Sequence, residues 1–376
     1  MKNVLIVITK GEIGGAQMSV INLAKQLKIR GFTITVAFGT GDFLMKELAS
    51  EHIDCIKLPY LGRSYNLISN IRYIIEFRRL LLKNNYDVIH FNSTNAVLGA
   101  ISAKLIKKNI KTIFTFRGLS VLDPNYTHDK IKKFLYLFAF KFILLFVDYQ
   151  IYVSKTNQNV AKKLKINKRD SVVYNGLDIL NLSFLNKKEA REYIRLKIGI
   201  NLKNKTIIGS IGRLAYQKNY EFLIKCMAKI IYGQENLLCI IVGDGPENAK
   251  LKKMISELNL NNKIILAGPI ENAGLYIKAF DIFTLTSRYE GMSITLIEAM
   301  AAGLPIIASD IEANVEILQG TGVLYSENDD HDYLIKMENI LNNNNYQTEL
   351  SKKTQIAAQQ YTIEKTTEKY IDIYSS

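Results

Sequence analysis

Short apolar runs alternate along this chain with longer stretches in which apolar residues recur every three or four positions. The runs Val4–Ile8, Thr33–Phe38, Asp87–Phe91, Lys111–Phe116, Gln150–Val153 and Ser171–Tyr174 are β-branched and aromatic and are bounded by Gly, Asn or Asp, so each predicts a strand. Helical periodicity covers Gln17–Leu27, Leu67–Leu82 and Thr94–Ile106 between them. This is the βαβ rhythm of a parallel sheet with helices on both faces. The rhythm then restarts with strands at Thr206–Ile211, Leu237–Val242, Lys263–Ala267, Ile282–Leu285 and Pro305–Ala308. Helices at Tyr220–Ile231, Glu247–Leu258 and Ser293–Ala301 separate this second set.

The stretch Asp178–Lys205 between the two sets is charged, lacks β pattern and holds one short helix candidate, Lys187–Lys197. The chain therefore divides into an N-terminal Rossmann-like domain over 1–178 and a C-terminal one over 179–360. A last helix over 361–376 is expected to pack back towards the N-terminal domain. Two open α/β sheets facing each other leave a cleft at the carboxyl ends of their strands, where such folds bind ligands. Asn342–Asn345 reads as a loop tip without a role, and no repeat of solenoid period is present.

A length of 376 residues, 48% hydrophobic and 22% charged, suits two globular cores and argues against disorder. Cys55, Cys226 and Cys239 form no CxxC pair, and the four histidines form no HExxH, so a disulfide framework and a zinc centre are both disfavoured. The opening run, Met1 to Ile8, is too short for a signal peptide and reads as a buried first strand.

The net charge of +14 is unevenly held. Residues 1–178 carry 27 Lys+Arg against 12 Asp+Glu, and residues 179–376 carry 22 against 23. An excess confined to one half points to an anionic partner for that half, a membrane surface among the candidates; a basic genomic bias would act on both. No recognised motif supports nucleic acid as that partner. Ile131–Val147 is strongly apolar and aromatic but is interrupted by Lys132, Lys133 and Lys141 and falls short of a bilayer span. A buried domain helix is the default reading, and an interfacial helix with its lysines at the headgroups is the alternative.

Three segments carry candidate chemistry. The first strand feeds Gly11-Glu12-Ile13-Gly14-Gly15-Ala16-Gln17 and then a helix, a place where backbone amides approach an anion, although a plain strand–helix turn has the same look. Its spacing is not GxGxxG, so no dinucleotide fingerprint is present. In the second domain Arg213 follows strand Thr206–Ile211 directly and Lys218 lies just before a helix. Such cations can neutralise a pyrophosphate, or can be solvated loop charges. The third segment is Glu290-Gly291-Met292-Ser293-Ile294-Thr295-Leu296-Ile297-Glu298-Ala299. Ser293 is placed to cap the helix, Gly291 to permit an unusual turn before it, and the N–H groups after Ser293 to meet a phosphate. Glu298 lies inside the helix within reach of a ribose, while Glu290 lies on the loop within reach of a sugar, so the two need not form a hydrolase acid/base pair.

With seven residues between Glu290 and Glu298, flanked by Ala279-Phe280-Asp281-Ile282-Phe283 and by Glu298-Ala299-Met300-Ala301-Ala302-Gly303-Leu304-Pro305, the chain resembles the large family 4 of retaining GT-B glycosyltransferases. Gly14-Gly15-Ala16-Gln17, Tyr174-Asn175-Gly176-Leu177-Asp178, Gly212-Arg213 with Lys218-Asn219, and Val242-Gly243-Asp244-Gly245-Pro246 follow in the family's order. The resemblance implies a GT-B fold of two Rossmann-like domains facing across a cleft, with acceptor on the first and nucleotide sugar on the second. It implies retaining transfer from a UDP- or GDP-linked sugar to a glycan or lipid-linked acceptor, in surface polysaccharide or glycolipid synthesis. The expected location is cytoplasmic, peripheral to the inner face of the plasma membrane.

By position, the resemblance places donor phosphate on Gly14 and Gly15 and pyrophosphate on Arg213 and Lys218. It places the base against Gly268, Pro269 and Ile270, the ribose on Glu298, and the donor sugar on Glu290 with the loop Gly291, Met292, Ser293 and Ile294. No cofactor and no metal are expected, because cations and helix dipoles replace the metal, and Asp329-Asp330 lies in a late loop far from the motifs. Arg117-Gly118 stands where the family usually has His-Gly. Arg117 cannot act as a base; it is expected to face the donor sugar or its phosphate, or else to fix its loop through an ion pair. The competing reading is an altered, non-catalytic sugar-nucleotide-binding GT-B protein. His90, at a strand end, reads as structural, with an acceptor-side role as the alternative.

Overall fold

The apolar runs become two wholly parallel sheets, one in each of two units, Met1–Asp178 with Tyr361–Ser376, and Ile179–Gln360. The computed structural model describes residues 2–62, 66–119, 122–123, 130–179 and 182–376.

In the first unit the strands are β1 (Asn3–Lys10), β2 (Thr33–Thr40), β3 (Asp54–Lys57), β4 (Val88–Phe91), β5 (Lys111–Phe116), β6 (Tyr149–Tyr152) and β7 (Asp170–Val172). Among the described residues their order is β3-β2-β1-β4-β5-β6-β7. The helices are α1 (Gly15–Ile29), α2 (Phe43–Ala49), α3 (Leu67–Lys83), α4 (Gly99–Ile106), α5 (Lys130–Leu144) and α6 (Lys155–Lys163). Val4 pairs with both Ile34 and Val88, which makes β1 an interior strand. Successive side chains of such a strand enter opposite cores, and this accounts for its unbroken apolar run. Leu5 and Val7 pack with Phe77, Phe91 and Phe114. Val4, Ile6 and Ile8 pack with Val20, Leu23 and Leu27 of α1 on the other side.

The second unit holds β8 (Thr206–Ile211), β9 (Leu237–Val242), β10 (Ile264–Gly268), β11 (Ile282–Leu285), β12 (Ile306–Ser309) and β13 (Val323–Tyr325), in the order β10-β9-β8-β11-β12-β13. Its helices are α7 (Lys187–Ile198), α8 (Tyr220–Ile231), α9 (Asn248–Glu257), α10 (Ile294–Ala301), α11 (Glu312–Leu318), α12 (Asp330–Asn342) and α13 (Asn344–Ala358). A capping box starts α7: Asn186 accepts from the Glu189 N–H, and the Glu189 carboxylate accepts from the Asn186 N–H. Asn342–Asn345 is not a loop without a role. Asn343 ends α12 and caps α13, its side chain accepting from the Tyr346 N–H at 2.9 Å.

The final helix, α14 (Ile363–Ser375), belongs to the first unit and packs on α1. His90 ties it down. Its ring is fully buried, with Nδ1 2.7 Å from the Tyr374 hydroxyl and Nε2 2.7 Å from that of Thr115. Burial holds the imidazole well below its ordinary pKa, with a smaller contribution from the Arg117 charge.

The Ile131–Val147 segment departs from its default reading. It forms α5, with one face inside and one outside: Phe140 and Leu144 are buried, but Ile131, Phe134, Leu135, Phe138 and Phe142 are 56–71% exposed. Among the described residues no helix is long and apolar enough to cross a membrane.

Candidate functional site

In an open α/β sheet the ligand crevice lies at the carboxyl ends of the strands where the strand order reverses. In the second unit that point is between β8 and β11, and the candidate residues gather there. Lys218, after β8, and Glu290, after β11, form an ion pair at 2.6 Å with side chains only 14% and 7% exposed. The same carboxylate accepts from the Ser287 hydroxyl at 2.6 Å and from the Gln217 amide at 3.2 Å. The backbone ties the two loops together, with the Arg288 N–H donating to the Gln217 carbonyl at 2.8 Å and the Thr286 hydroxyl to that of Lys218 at 2.9 Å. Glu290 thus reaches its neighbouring cation rather than open space. Arg213 is the contrast: it is exposed, with no hydrogen bond or ion pair to any described residue.

Ser293 caps α10, its hydroxyl accepting from the Leu296 N–H at 3.3 Å. One donor of the first turn is satisfied in this way, while the N–H groups of Ile294 and Thr295 have no partner among the described residues. Gly291 does not supply an unusual turn. The left-handed glycines of this unit are Gly199, Gly233, Gly243, Gly268, Gly303 and Gly320. Gly291 and Met292 are buried.

The Glu298 carboxylate has no hydrogen bond or ion pair with the described residues. Burial pushes its carboxyl up to about 7. A Cβ on Gly274 would fall 2.6 Å from its Oε1, so the backbone there comes as close to the carboxylate as any chain can. Gly268, at the end of β10 with φ +73°, accepts from the Gly243 N–H at 2.9 Å, and Ile270 beyond Pro269 is buried. Gly243 itself could carry no side chain, since a Cβ would lie 2.0 Å from the Gly212 carbonyl oxygen. The late acidic loop is not far from the motifs. Asp329 caps α12, Asp330 pairs with Lys229, and Asn328 accepts from Asn219, the neighbour of Lys218, at 3.2 Å.

In the first unit the strand order reverses between β1 and β4. Gly14 is the extended N-cap of α1 and Gly15 its first residue, and no side chain caps that helix. Arg117 follows β5. Its Nη2 and Nε donate to Asn92 Oδ1 at 2.6 and 3.2 Å, and its Nη1 donates to Asn175 Oδ1 at 2.5 Å. Ser19 of α1 donates to that Asn175 oxygen at 3.4 Å and to the Gly15 carbonyl at 3.1 Å. Arg117 is therefore held by two neutral amides and not by the ion pair considered from the sequence. Burial pulls the guanidinium below its ordinary pKa, yet it remains a cation.

Residues 13–179 match the family described as Glycosyltransferase Family 4, and residues 191–357 match the one described as Glycosyl transferases group 1. The chain belongs to the family 4 glycosyltransferases of GT-B fold. This enzyme is similar to the Escherichia coli UDP-Gal:alpha-D-GlcNAc-diphosphoundecaprenol alpha-1,3-galactosyltransferase, 28% identical over 279 residues that span 72% of this chain and 70% of that one. It is 26% identical over 340 residues to the E. coli O-antigen biosynthesis glycosyltransferase WbnH, covering 90% of each. Its fold matches the crystal structure of Anabaena Alr3699/HepE in complex with UDP and glucose, with a TM-score of 0.84 over the whole of both chains at 20% identity.

Three residues of the glycosyltransferase's polar clusters carried no weight in the sequence, Gln217, Ser287 and Asn92, while Asn175 stood in a family motif without a role of its own. A hydroxyl three residues before a candidate carboxylate is a usable signal for Ser287, and an asparagine just past a strand end is one for Asn92. Gln217 has no such signal. Among the described residues there is no group of three or more His, Cys, Asp or Glu side chains that could hold a metal ion.

Proposed function

We propose that this glycosyltransferase is a retaining enzyme. It moves a sugar from a UDP- or GDP-linked donor to a glycan or lipid-linked acceptor, in surface polysaccharide or glycolipid assembly. The observation that carries the reading is the cluster at the β8/β11 reversal. It comprises a desolvated Lys218–Glu290 pair, the unpaired cation Arg213, the open first turn of α10, and the unpaired carboxylate Glu298. A diphosphate satisfies the cations and the helix N-terminus, and ribose hydroxyls satisfy the carboxylate. The relatives that act on UDP-galactose and in O-antigen synthesis, and the neighbour that binds UDP, support the same class of donor and acceptor.

In this reading Arg213 and Lys218 offset charge as it grows on the departing phosphate. Glu290 exchanges part of its bond to Lys218 for a donor-sugar hydroxyl, with Gly291 to Ile294 shaping that side, while Gly268, Pro269 and Ile270 lie against the base. The acceptor oxygen attacks the anomeric carbon on the face from which the phosphate leaves. The carbon–phosphate-oxygen bond breaks as the new glycosidic bond forms, and the acceptor proton passes to the phosphate oxygen. The first unit takes the acceptor, and Arg117 with the open α1 terminus at Gly14 and Gly15 offers an anion site there. The basic charge of that unit draws the enzyme to the anionic inner face of the plasma membrane. Arginine, lysine and helix N-termini do the work of a metal, so turnover persists in EDTA.

A panel of UDP- and GDP-sugars with a polyprenyl-diphosphate-sugar acceptor, read by mass spectrometry and by NMR of the new anomeric centre, tests this. Product of inverted configuration overturns retention. Tight donor binding without turnover across the panel supports a non-catalytic binding protein instead.

A further inference from the structure

We propose that the outer face of α5 inserts into the headgroup–acyl boundary of an anionic bilayer, which rests on the electrostatic attraction proposed above and says which surface follows it in. At about 100° per residue, Ile131, Phe134, Leu135, Phe138 and Phe142 fall within about 100° of helical arc. All five are exposed, by 56–71%. The opposite arc is a core face, carrying the buried Phe140 and Leu144 and the half-buried Tyr136 and Ile143. A helix of an isolated soluble domain needs one apolar stripe, and this one has two. The second stripe stays exposed among the described residues, and as a contiguous apolar patch it marks an interaction surface.

Charge selects the occupant. The sequence of α5 contains four lysines and no acidic residue. Lys141 is exposed beside the stripe, while Lys133 is turned inward with its Nζ donating to the Asp123 carbonyl at 2.8 Å. The first unit as a whole carries 29 Lys+Arg against 15 Asp+Glu, whereas the second carries 20 of each. Helix α3 packs on the same side of the sheet as α5, since Tyr73, Phe77 and Leu81 share one core with Phe140 and Leu144. It repeats the pattern: Leu67, Ile68, Ile71 and Ile75 are 46–71% exposed, with the arginines Arg72 and Arg79 beside them. Aromatic and aliphatic side chains framed by cations on one face of a unit with a large positive excess are complementary to anionic lipid: the cations meet headgroups and the rings pass beneath them. A second copy of the same face would bring like charges together.

The chain contains no tryptophan, so Phe138→Trp in the full-length protein is a single reporter on the stripe, and Tyr232→Trp, at a residue 90% exposed in the other unit, is its control. With vesicles of phosphatidylcholine and phosphatidylglycerol, the F138W emission should shift to the blue and be quenched by brominated acyl chains, and Y232W should do neither. The triple variant F134S/F138S/F142S should lose at least tenfold in vesicle partition while keeping its melting temperature, because the three rings are exposed. Vesicle binding that falls with salt but leaves F138W unshifted keeps the electrostatic attraction and overturns insertion. Absence of vesicle co-sedimentation overturns both. A blue shift that grows with protein concentration in the absence of lipid makes the stripe a self-association face and overturns the proposal.

Discussion

Glu298→Gln should stabilise the free enzyme above neutral pH while weakening its hold on the donor. The carboxyl sits on the second turn of α10 with no partner, and burial raises it from 4.5 to about 7. A group whose folded pKa is raised contributes stability that is complete below the unfolded value and is lost as pH rises through the folded one. For Glu298 that window runs from pH 4.5 to about 7. At about 1.36 kcal/mol per unit the loss is at most about 3–4 kcal/mol, reduced by the part of the side chain that water still reaches. Glutamine is neutral throughout, so the wild type should lose stability relative to E298Q between pH 5 and 8, at about 2–4 °C in melting temperature per kcal/mol for a unit of this size. Donor binding should move the opposite way. Ribose hydroxyls donate to the ionised carboxylate, so wild-type affinity should rise and protons should be released as donor binds near pH 7, and E298Q should bind more weakly at pH 8 by about 1.5–3 kcal/mol. Differential scanning fluorimetry across pH reads the first effect. Calorimetry in two buffers of different ionisation enthalpy reads the second. Parallel pH profiles for the two proteins, with equal donor affinity, refute the assignment.

The pair at the β8/β11 reversal gives a non-additive prediction. Lys218→Met alone leaves the 7% exposed Glu290 carboxylate without its cation and should cost about 3–5 kcal/mol in urea denaturation, whereas Lys218→Met with Glu290→Gln should recover most of that while remaining inactive. Additive losses in that cycle would show that the two charges do not depend on each other. Arg213→Ala removes an exposed, unpaired side chain, so stability should stay within about 0.5 kcal/mol while kcat falls by roughly two orders of magnitude; an unchanged kcat with only a raised KM contradicts its role at the departing phosphate. Tyr374→Phe strips His90 Nδ1 of its buried partner and should destabilise the first unit by about 1–3 kcal/mol, with hydrogen exchange rising first in α14 and β4; uniform exchange would deny the tie. His90 itself is held neutral, so its stabilising contribution is complete above pH 6.5 and declines as acid drives protonation, a decline that His90→Gln should lack in acid-denaturation curves.

Four interior strands were legible to the residue. Lys111–Phe116, Thr206–Ile211, Leu237–Val242 and Ile282–Leu285 have the bounds their runs predict, because a strand buried on both faces reads as a near-continuous apolar run, while Val4–Ile8, Thr33–Phe38 and Asp87–Phe91 miss the ends of β1, β2 and β4 by one or two residues. Of the four edge strands, β7 and β10 were found and β3 and β13 were not. Asp54–Lys57 begins and ends on exposed charges, and Val323–Tyr325 is three residues long, so neither run stands out from loop. The polar helices α12 and α13 were equally silent, since their tertiary contacts rather than their composition decide them. At the site, residue types and their places on strand ends and helix caps were readable, while pairings were not. Lys218 and Glu290 are 72 positions apart, and Arg117 finds its asparagines 25 and 58 positions away. Local pattern carries no record of such distances, so the alternative in which Arg117 fixes its loop was framed as an ion pair, where the structure supplies amides. For α5 the periodicity showed apolar residues all round and could not say that half of them face outwards.

Among the candidate site residues, two desolvated charges have no counter-ion among the described residues: Arg117 in the first unit and Glu298 in the second. A protein selected only for stability would pair or remove both, since a buried uncompensated charge is among the costlier features a fold can keep. Other charges close by are handled conventionally. Lys218 is neutralised by Glu290, and Asp281 by both Lys187 and Arg191. The exceptions differ in a way that matters for ligands. Three of the five N–H groups of Arg117 already engage neutral oxygens, which fixes its fork while its charge and two donors find no partner among the described residues. The Glu298 carboxylate has no donor among the described residues, and Gly274 keeps the backbone close against it. The first arrangement is preorganised for an anion and the second for a group that donates hydrogen bonds. At each place the cost of the uncompensated charge is what a ligand of that chemistry would recover on binding.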